Sequence, residues 1–321
     1  MTERMRRLAL GAAAVMVLAA LAATVWTGWA ERHPLQERQL RNQAQEQLET
    51  RFPAAMQPAG DGYGILRRNA AAAQQQRPGV LLVHGLDEPG GIWADLLPVL
   101  AAAGFDTWEF LYPNDQAIDS SADLLAASWP ELPADRELAL IGHSMGGLVV
   151  RDFVSRWRHP VADAPGVTGA SVRGVILAGT PNQGADLARL RVWLELRDQW
   201  AASRQSGFSP LNALRDGTGA AKIDLLPGSA FLERLNARPW PEDVAMQIIG
   251  GVLLESTPAL GDGVVAIESL AVAGAPQPML VTASHRGMLK RIFESDAEPP
   301  AIAPIMALLE AFGSRETRSA P

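Results

Sequence analysis

The 321-residue chain contains no cysteine. That excludes disulfides, a thiolate nucleophile and Cys-ligated zinc. It is compatible with an oxidising compartment without requiring one. Basic charge is short as well: 28 Lys and Arg stand against 35 Asp and Glu, for a net charge of −7. An acidic surface repels phosphates, which argues against nucleic-acid binding. Only five histidines occur, and they are scattered. There is no H-E-x-x-H motif and no phosphate-cradling glycine loop, so neither a metal nor a cofactor is expected. No internal repeat is visible, and nothing in the sequence sets an oligomeric state. What is present is ordinary globular composition, 48% hydrophobic and 20% charged, enough for one large domain with a full core.

The N-terminus reads differently from the rest. Arg4, Arg6 and Arg7 precede an uncharged run from Leu8 to Ala30, with Trp26 and Trp29 near its far end. The length suits an N-terminal membrane-spanning helix, and the flanking arginines place the bulk of the chain outside the cytoplasm, on the periplasmic side in a bacterium. The competing reading is a cleaved signal peptide and a secreted product, given the small residues at Ala22, Ala23 and Ala30. Residues 31–77 read as a stalk rich in Gln, Arg and Glu, with a charged helix over Pro34 to Arg51 acting as a solvated spacer.

From Gly79 the pattern alternates. Apolar runs at Val80–Val83, Phe105–Leu111, up to Ile141, Arg173–Ala178, Val244–Ile249 and Gln277–Ala283 read as strands. Helical stretches fall at Ile92–Ala103, Ala122–Trp129, Gly147–Arg158 and Ala301–Phe312. This alternation predicts an α/β, doubly wound, mostly parallel sheet with helices on both faces, over residues 78–313, followed by a polar tail at 314–321. An insert at about 183–240 lacks strands and contains helix-like runs over Ala185–Ala202 and Ser229–Asn236. Its place after a central strand predicts a helical lid, with Leu190, Trp193, Leu194 and Trp200 facing a substrate pocket; a packed side layer is the alternative.

The chemistry concentrates at Gly142-His143-Ser144-Met145-Gly146, a G-x-S-x-G set between a strand and a helix. That spacing makes a nucleophile elbow, in which the serine sits on a sharp turn at a helix N-terminus. An activated serine needs a base. His33 lies in the stalk, His143 adjoins the serine, His84 ends the first core strand in the loop beside the expected oxyanion pocket, and His159 follows the far end of the elbow helix. His285 remains, in the loop after the last strand, and the carboxyl ends of parallel strands share one edge. The orienting acid should lie between serine and histidine. Asp262, flanked by Gly261 and Gly263, is the first choice and Glu255 the second. Oxyanion donors are expected from the amides of Met145 and Leu86.

These pieces resemble the lipase and esterase branch of the α/β-hydrolases. The resemblance is carried by Val83-His84-Gly85, Gly142–Gly147, Gly179-Thr180-Pro181-Asn182-Gln183-Gly184, Asp262-Gly263-Val264-Val265 and His285, over residues 80 to about 290. Leu225–Ser229 with Phe231-Leu232 and Leu235-Asn236 is similar to a stretch near the lid of bacterial triacylglycerol lipases. The chain departs from those lipases in having Arg286-Gly287-Met288-Leu289 after the histidine, where they carry an aspartate in a calcium-linked loop, and in lacking a disulfide. The resemblance implies an α/β-hydrolase fold and cleavage of ester or lipid-like small molecules, without calcium. The alternatives are an amide or thioester acyl hydrolase using the same triad, or a tethered, non-catalytic binding module.

Overall fold

The structure, a computed structural model, describes residues 3–56, 62–70, 77–86, 91–159, 166–185, 217–254, 256, 260–293 and 297–314. Seven strands form one sheet: β1 (Gly64–Asn69), β2 (Gly79–Val83), β3 (Thr107–Leu111), β4 (Glu137–His143), β5 (Ser171–Ala178), β6 (Ala245–Val252) and β7 (Met279–Thr282). Their order is β1-β3-β2-β4-β5-β6-β7, and every pairing is parallel except β1 with β3. The helices used below are α1 (Glu3–Arg32), α2 (Pro34–Arg51), α3 (Leu96–Ala102), α4 (Ile118–Ser128), α5 (Met145–Phe153), α6 (Ala220–Asp224), α7 (Ala230–Ala237) and α8 (Ile302–Ser314).

The continuous apolar runs become strands buried on both faces because their side chains alternate between two cores. Leu81 and Val83 of β2, with Leu138 and Leu140 of β4, pack into a layer closed by α4, α5 and α7. Val80, Leu82, Ala139 and Ile141 pack into the opposite layer with Trp93, Leu96 and Leu100. In that second layer α8 buries Ile302, Ile305, Leu309 and Phe312, an apolar stripe at helical spacing. Removing one such side chain, as in Leu81→Ala, typically costs about 2–5 kcal/mol. The sheet is therefore a stiff platform whose carboxyl edge carries the loops with the chemistry.

The structure adds to and corrects the sequence reading in four places. The stalk region holds an unexpected strand: β1 pairs antiparallel with β3, its second residue Ile65 buried and its arginines exposed. The helix over Pro34–Arg51 is not a solvated spacer. Arg38 of α2 forms ion pairs with Asp224 at 2.6 Å and Asp119 at 2.6 Å, Arg41 donates to the Thr218 carbonyl, and Glu37 is fully buried. The sequence registers such a helix as polar all round because its partner is an acidic, polar surface rather than an apolar groove.

The expected membrane-spanning segment does form a helix, α1, of 30 residues. Among the described residues, however, no helix is long and apolar enough to cross a membrane. The last place concerns the lid, most of which lies outside the described residues. The sites named for it, Leu190, Trp193, Leu194 and Trp200, lie outside the described residues, as does Glu255. The parts of the insert that are described are residues 183–185 and 217–240, and the second is a packed layer: Ala221, Leu225, Phe231, Leu232 and Leu235 belong to the core.

Candidate active site

The turn from β4 into α5 puts Ser144 at φ 53° and ψ −128°, and it is the one non-glycine residue with positive φ among those described. Backbone in that region costs on the order of 1–3 kcal/mol and persists only where the surroundings enforce it. The flanking glycines do so through close approach. A Cβ on Gly142 would lie 2.5 Å from the Gly147 Cα, and one on Gly146 would lie 2.2 Å from the Val83 carbonyl oxygen. The elbow is thus pressed against both the start of α5 and the end of β2, which leaves the serine side chain one direction to take.

In that direction it meets His285. The Ser144 Oγ lies 2.8 Å from the His285 Nε2, and the His285 Nδ1 lies 2.7 Å from the Asp262 Oδ2. A carboxylate accepts, so the Nδ1 carries the proton and donates it, and the Nε2 is left as the acceptor for the serine hydroxyl. Asp262 is 2% exposed and His285 9%. The second carboxylate oxygen of Asp262 accepts from the amides of Val264, at 2.9 Å, and Val265, at 2.8 Å. This Asx-type turn needs left-handed backbone on both sides of the aspartate, and Gly261 (φ 53°) and Gly263 (φ 90°) supply it. The backbone closes the unit: the His285 amide donates to the Asp262 carbonyl at 3.0 Å. Ser144, Asp262 and His285 are therefore brought together by three separate loops at one sheet edge.

Met145 is the first residue of α5, where a helix leaves its N–H groups without an intrahelical acceptor. Gly85 packs against the serine so closely that a Cβ there would lie 2.8 Å from the Ser144 Cβ, and Leu86 follows it in the chain. The two expected oxyanion residues thus follow, in the chain, the serine itself and the glycine packed against it.

His84 departs from expectation. Read as a pocket residue, it is instead 0% exposed. Its ring stacks on Tyr112 with centroids 4.5 Å apart, its Nδ1 lies 2.9 Å from the Gly85 carbonyl, and its Nε2 is buried with no hydrogen-bond partner. Burial pushes its pKa down to about 4, so the ring is neutral in the folded protein. The Tyr112 hydroxyl donates to the His84 carbonyl at 2.5 Å, and burial pushes that phenol up. Together they brace the loop that carries Leu86 rather than line a pocket.

Two residues at the site had no functional signal in the sequence. His143, adjacent to the serine, turns away from it and sets its Nε2 3.1 Å from the His285 carbonyl, with the two rings 4.8 Å apart. A carbonyl only accepts, so the His143 Nε2 donates. Burial, and then the neighbouring His285, hold its pKa well below the usual histidine range. Tyr112 follows β3 and was unremarkable as a strand-end aromatic. The other histidines are engaged elsewhere: His33 with the Trp29 carbonyl, His159 beside Asp243. A cleft of about 530 Å3 opens beside Asp262 and His285, walled by Leu253, Val264 and Ile292 and edged by Arg286, Lys290 and Arg291.

No protein-family model matches the chain, and no curated protein matches it in sequence. Solved structures do match in fold. The mature form of a Bacillus licheniformis lipase superposes with a TM-score of 0.55 at 18% identity, over 76% of this chain and 97% of that one. A metagenomic carboxyl esterase gives 0.57 at 17% identity, over 83% and 90%. A type II thioesterase of the yersiniabactin biosynthetic pathway gives 0.51 at 14% identity, over 77% and 97%. The chain has the α/β-hydrolase fold that these enzymes share.

Proposed function

We propose that the chain is a serine hydrolase that cleaves carboxylic esters through an acyl-enzyme on Ser144. The observation that carries this reading is the unbroken relay from the Ser144 Oγ through both His285 nitrogens to Asp262, at 2.8 and 2.7 Å. The Ser144 Oγ attacks the acyl carbon while the His285 Nε2 takes its proton. The tetrahedral oxyanion is held by the Met145 and Leu86 amides, each such donor typically worth about 3 kcal/mol in the transition state. His285 passes the proton to the departing alcohol. Water then attacks the acyl-enzyme, giving its proton to His285, and the acid leaves as the Ser144 Oγ regains a hydrogen. Asp262 keeps the ring in the required tautomer and stabilises the imidazolium. No step needs a metal or cofactor.

The same residues can open a thioester, and the fold shared with a type II thioesterase supports keeping that reading second. A panel of acyl esters, thioesters and anilides, with one acyl group throughout, separates the two by kcat/KM. The decisive variant for either is Ser144→Ala. It should lower turnover of a short p-nitrophenyl ester by about 10^4-fold or more and abolish fluorophosphonate labelling, with an unchanged circular dichroism spectrum. Retained labelling would remove Ser144 from the mechanism. A wild-type chain that neither labels nor turns over would instead support a non-catalytic binding module.

We further infer that residues 8–30 hold the enzyme at a membrane with its catalytic residues outside the cytoplasm. The support is the arginine-flanked uncharged run and the exposure of Val17, Leu18, Leu21 and Val25 on α1. Alkaline carbonate should leave the full chain in the membrane pellet and release a chain lacking residues 1–32. Equal release of both, or a mature protein starting beyond Ala30, would reject the anchor in favour of secretion.

A further inference from the structure

Arg151 has no part in the proposed reaction, yet it is buried, at 4% exposure, the least exposed arginine among the described residues. It is the seventh residue of α5, three residues beyond the apolar turn that follows the elbow. Its Nη1 donates to the Asn182 Oδ1 at 3.0 Å and its Nη2 to the Asn236 Oδ1 at 3.0 Å. Its Nε is buried without a hydrogen-bond partner. None of these contacts is a carboxylate. The acid next to it in sequence, Asp152, is already committed, with one oxygen accepting from Arg156 and the other from Arg238. Burial pulls the Arg151 pKa down to about 10, and Arg238 adds to that pull. The Asp152 carboxylate offsets part of that pull, but the hydrogen bonds that Arg151 makes go to amide oxygens alone. A guanidinium remains charged even so, and a buried charge held by neutral acceptors is costly.

Arg151 lines a cavity. The space is about 320 Å3 and lies between α5, α7, the loop after β5 and residues 272–273. Its polar wall is made by Arg151, Arg238, Ser155, Gln183 and Asn236, with Leu235 and Trp240 on the apolar side. No aspartate or glutamate lies among the described residues that line it. Arg238 is paired with Asp152 outside the lining, so Arg151 is the guanidinium on the wall whose hydrogen bonds reach no carboxylate, in a chain of net charge −7. Guanidinium groups bind oxyanions with directed, often paired N–H donors, and a low dielectric strengthens each bond. The cavity shares no residue with the cleft beside His285.

We propose that this cavity is a binding site for a small oxyanion, a phosphate or carboxylate group, held by Arg151 and Arg238, with any attached apolar group against Leu235 and Trp240. Bound there, the anion completes the Arg151–Asn182–Asn236 network, which ties the elbow helix to the loop after β5 and to α7. The site follows from the buried guanidinium and the cavity alone, so it stands whether or not Ser144 is a nucleophile.

The test is titration of the full chain with inorganic phosphate against sodium chloride of equal ionic strength. The readouts are the thermal midpoint and the arginine Nε–H resonances. The expected result is a saturable rise in midpoint together with movement of the Arg151 Nε–H signal. Ala273 is exposed at the cavity wall, so Ala273→Glu places a carboxylate at the mouth without burying it. That variant should weaken the phosphate response by on the order of tenfold or more through like-charge repulsion. Arg151→Met should abolish the response; if it fails to fold, the wild-type resonance and Ala273→Glu still decide. A wild-type chain with no saturable response, an Arg151 signal that stays still, or an undiminished response in Ala273→Glu would each overturn the proposal.

Discussion

The three side chains proposed to do the chemistry are held by neighbours that do none of it. Asp262 is fixed by two amides from its own turn, so Asp262→Asn should keep the fold while presenting an amide that can stabilise the wrong imidazole tautomer. The expected result is a fall in kcat on the order of 10^3–10^4-fold with little change in KM, read by steady-state ester hydrolysis. His143 acts one step further back, as a positioning residue through the His285 carbonyl. His143→Phe removes the donor and leaves that buried carbonyl unpaired, a penalty of about 1–3 kcal/mol. It should lower kcat about tenfold through misplacement of His285, while KM stays within about twofold. A fall confined to stability would assign His143 to packing alone. His84 gives a pH signature. Its folded pKa, about 4, lies below the ordinary 6.5, so the unfolded chain binds more protons between those values. Its contribution is complete above about pH 6.5 and is lost as pH falls toward 4, by at most about 3 kcal/mol. Urea unfolding at pH 4.5 and 7 should therefore differ less in His84→Phe, which keeps the ring on Tyr112, than in the wild type.

Among the elements, α2 has the role least like its sequence. Its Arg38 reaches Asp224, whose side chain is 1% exposed, and Asp224 also accepts from the Ile118 amide at the start of α4. One carboxylate thus joins α2, α6 and α4. Removing one partner of a buried pair leaves an uncompensated charge, so Arg38→Ala should cost about 3 kcal/mol. That would appear as a drop in thermal midpoint of roughly 5 °C, with kcat/KM for a short ester nearly unchanged at 25 °C. A midpoint within about 2 °C of wild type would mean that the α2 contact is a solvent-screened surface pair. Elements built on apolar periodicity were legible: β2 to β7 and α3, α4, α5, α7 and α8 fall within a few residues of where the alternation puts them. β1 was not, because a six-residue edge strand with one buried apolar side chain, Ile65, carries too little period-2 signal to separate from a linker. The docking of α2 was not, because ion pairs leave no periodic mark.

For the molecule as a whole, a parallel sheet collects its loops at one edge, and that rule fixed the site before any distance was known. Residues 144, 262 and 285 are far apart in the chain, but each follows a parallel strand, so each arrives at the carboxyl edge. The elimination that left His285 worked because histidines were few and their places relative to strand ends could be judged. It kept His84 out of the base's place, but a strand-end position says where a residue lies and not which way its ring turns, and that ring is buried.

The amino-acid order alone determined the alternating fold, the strained serine turn with its glycines, and the identity of the three residues that meet there. These follow from short-range sterics, hydrophobic period and chain order, which are written locally. Only the tertiary structure decided that His84 is buried beneath Tyr112, that His143 braces His285 from behind, that α2 is clamped to Asp224, and that Arg151 lines a cavity with no carboxylate among its described lining residues. Each of those depends on which surfaces pack against each other across tens to hundreds of residues, and a polar contact at that range leaves no pattern in either chain segment that makes it.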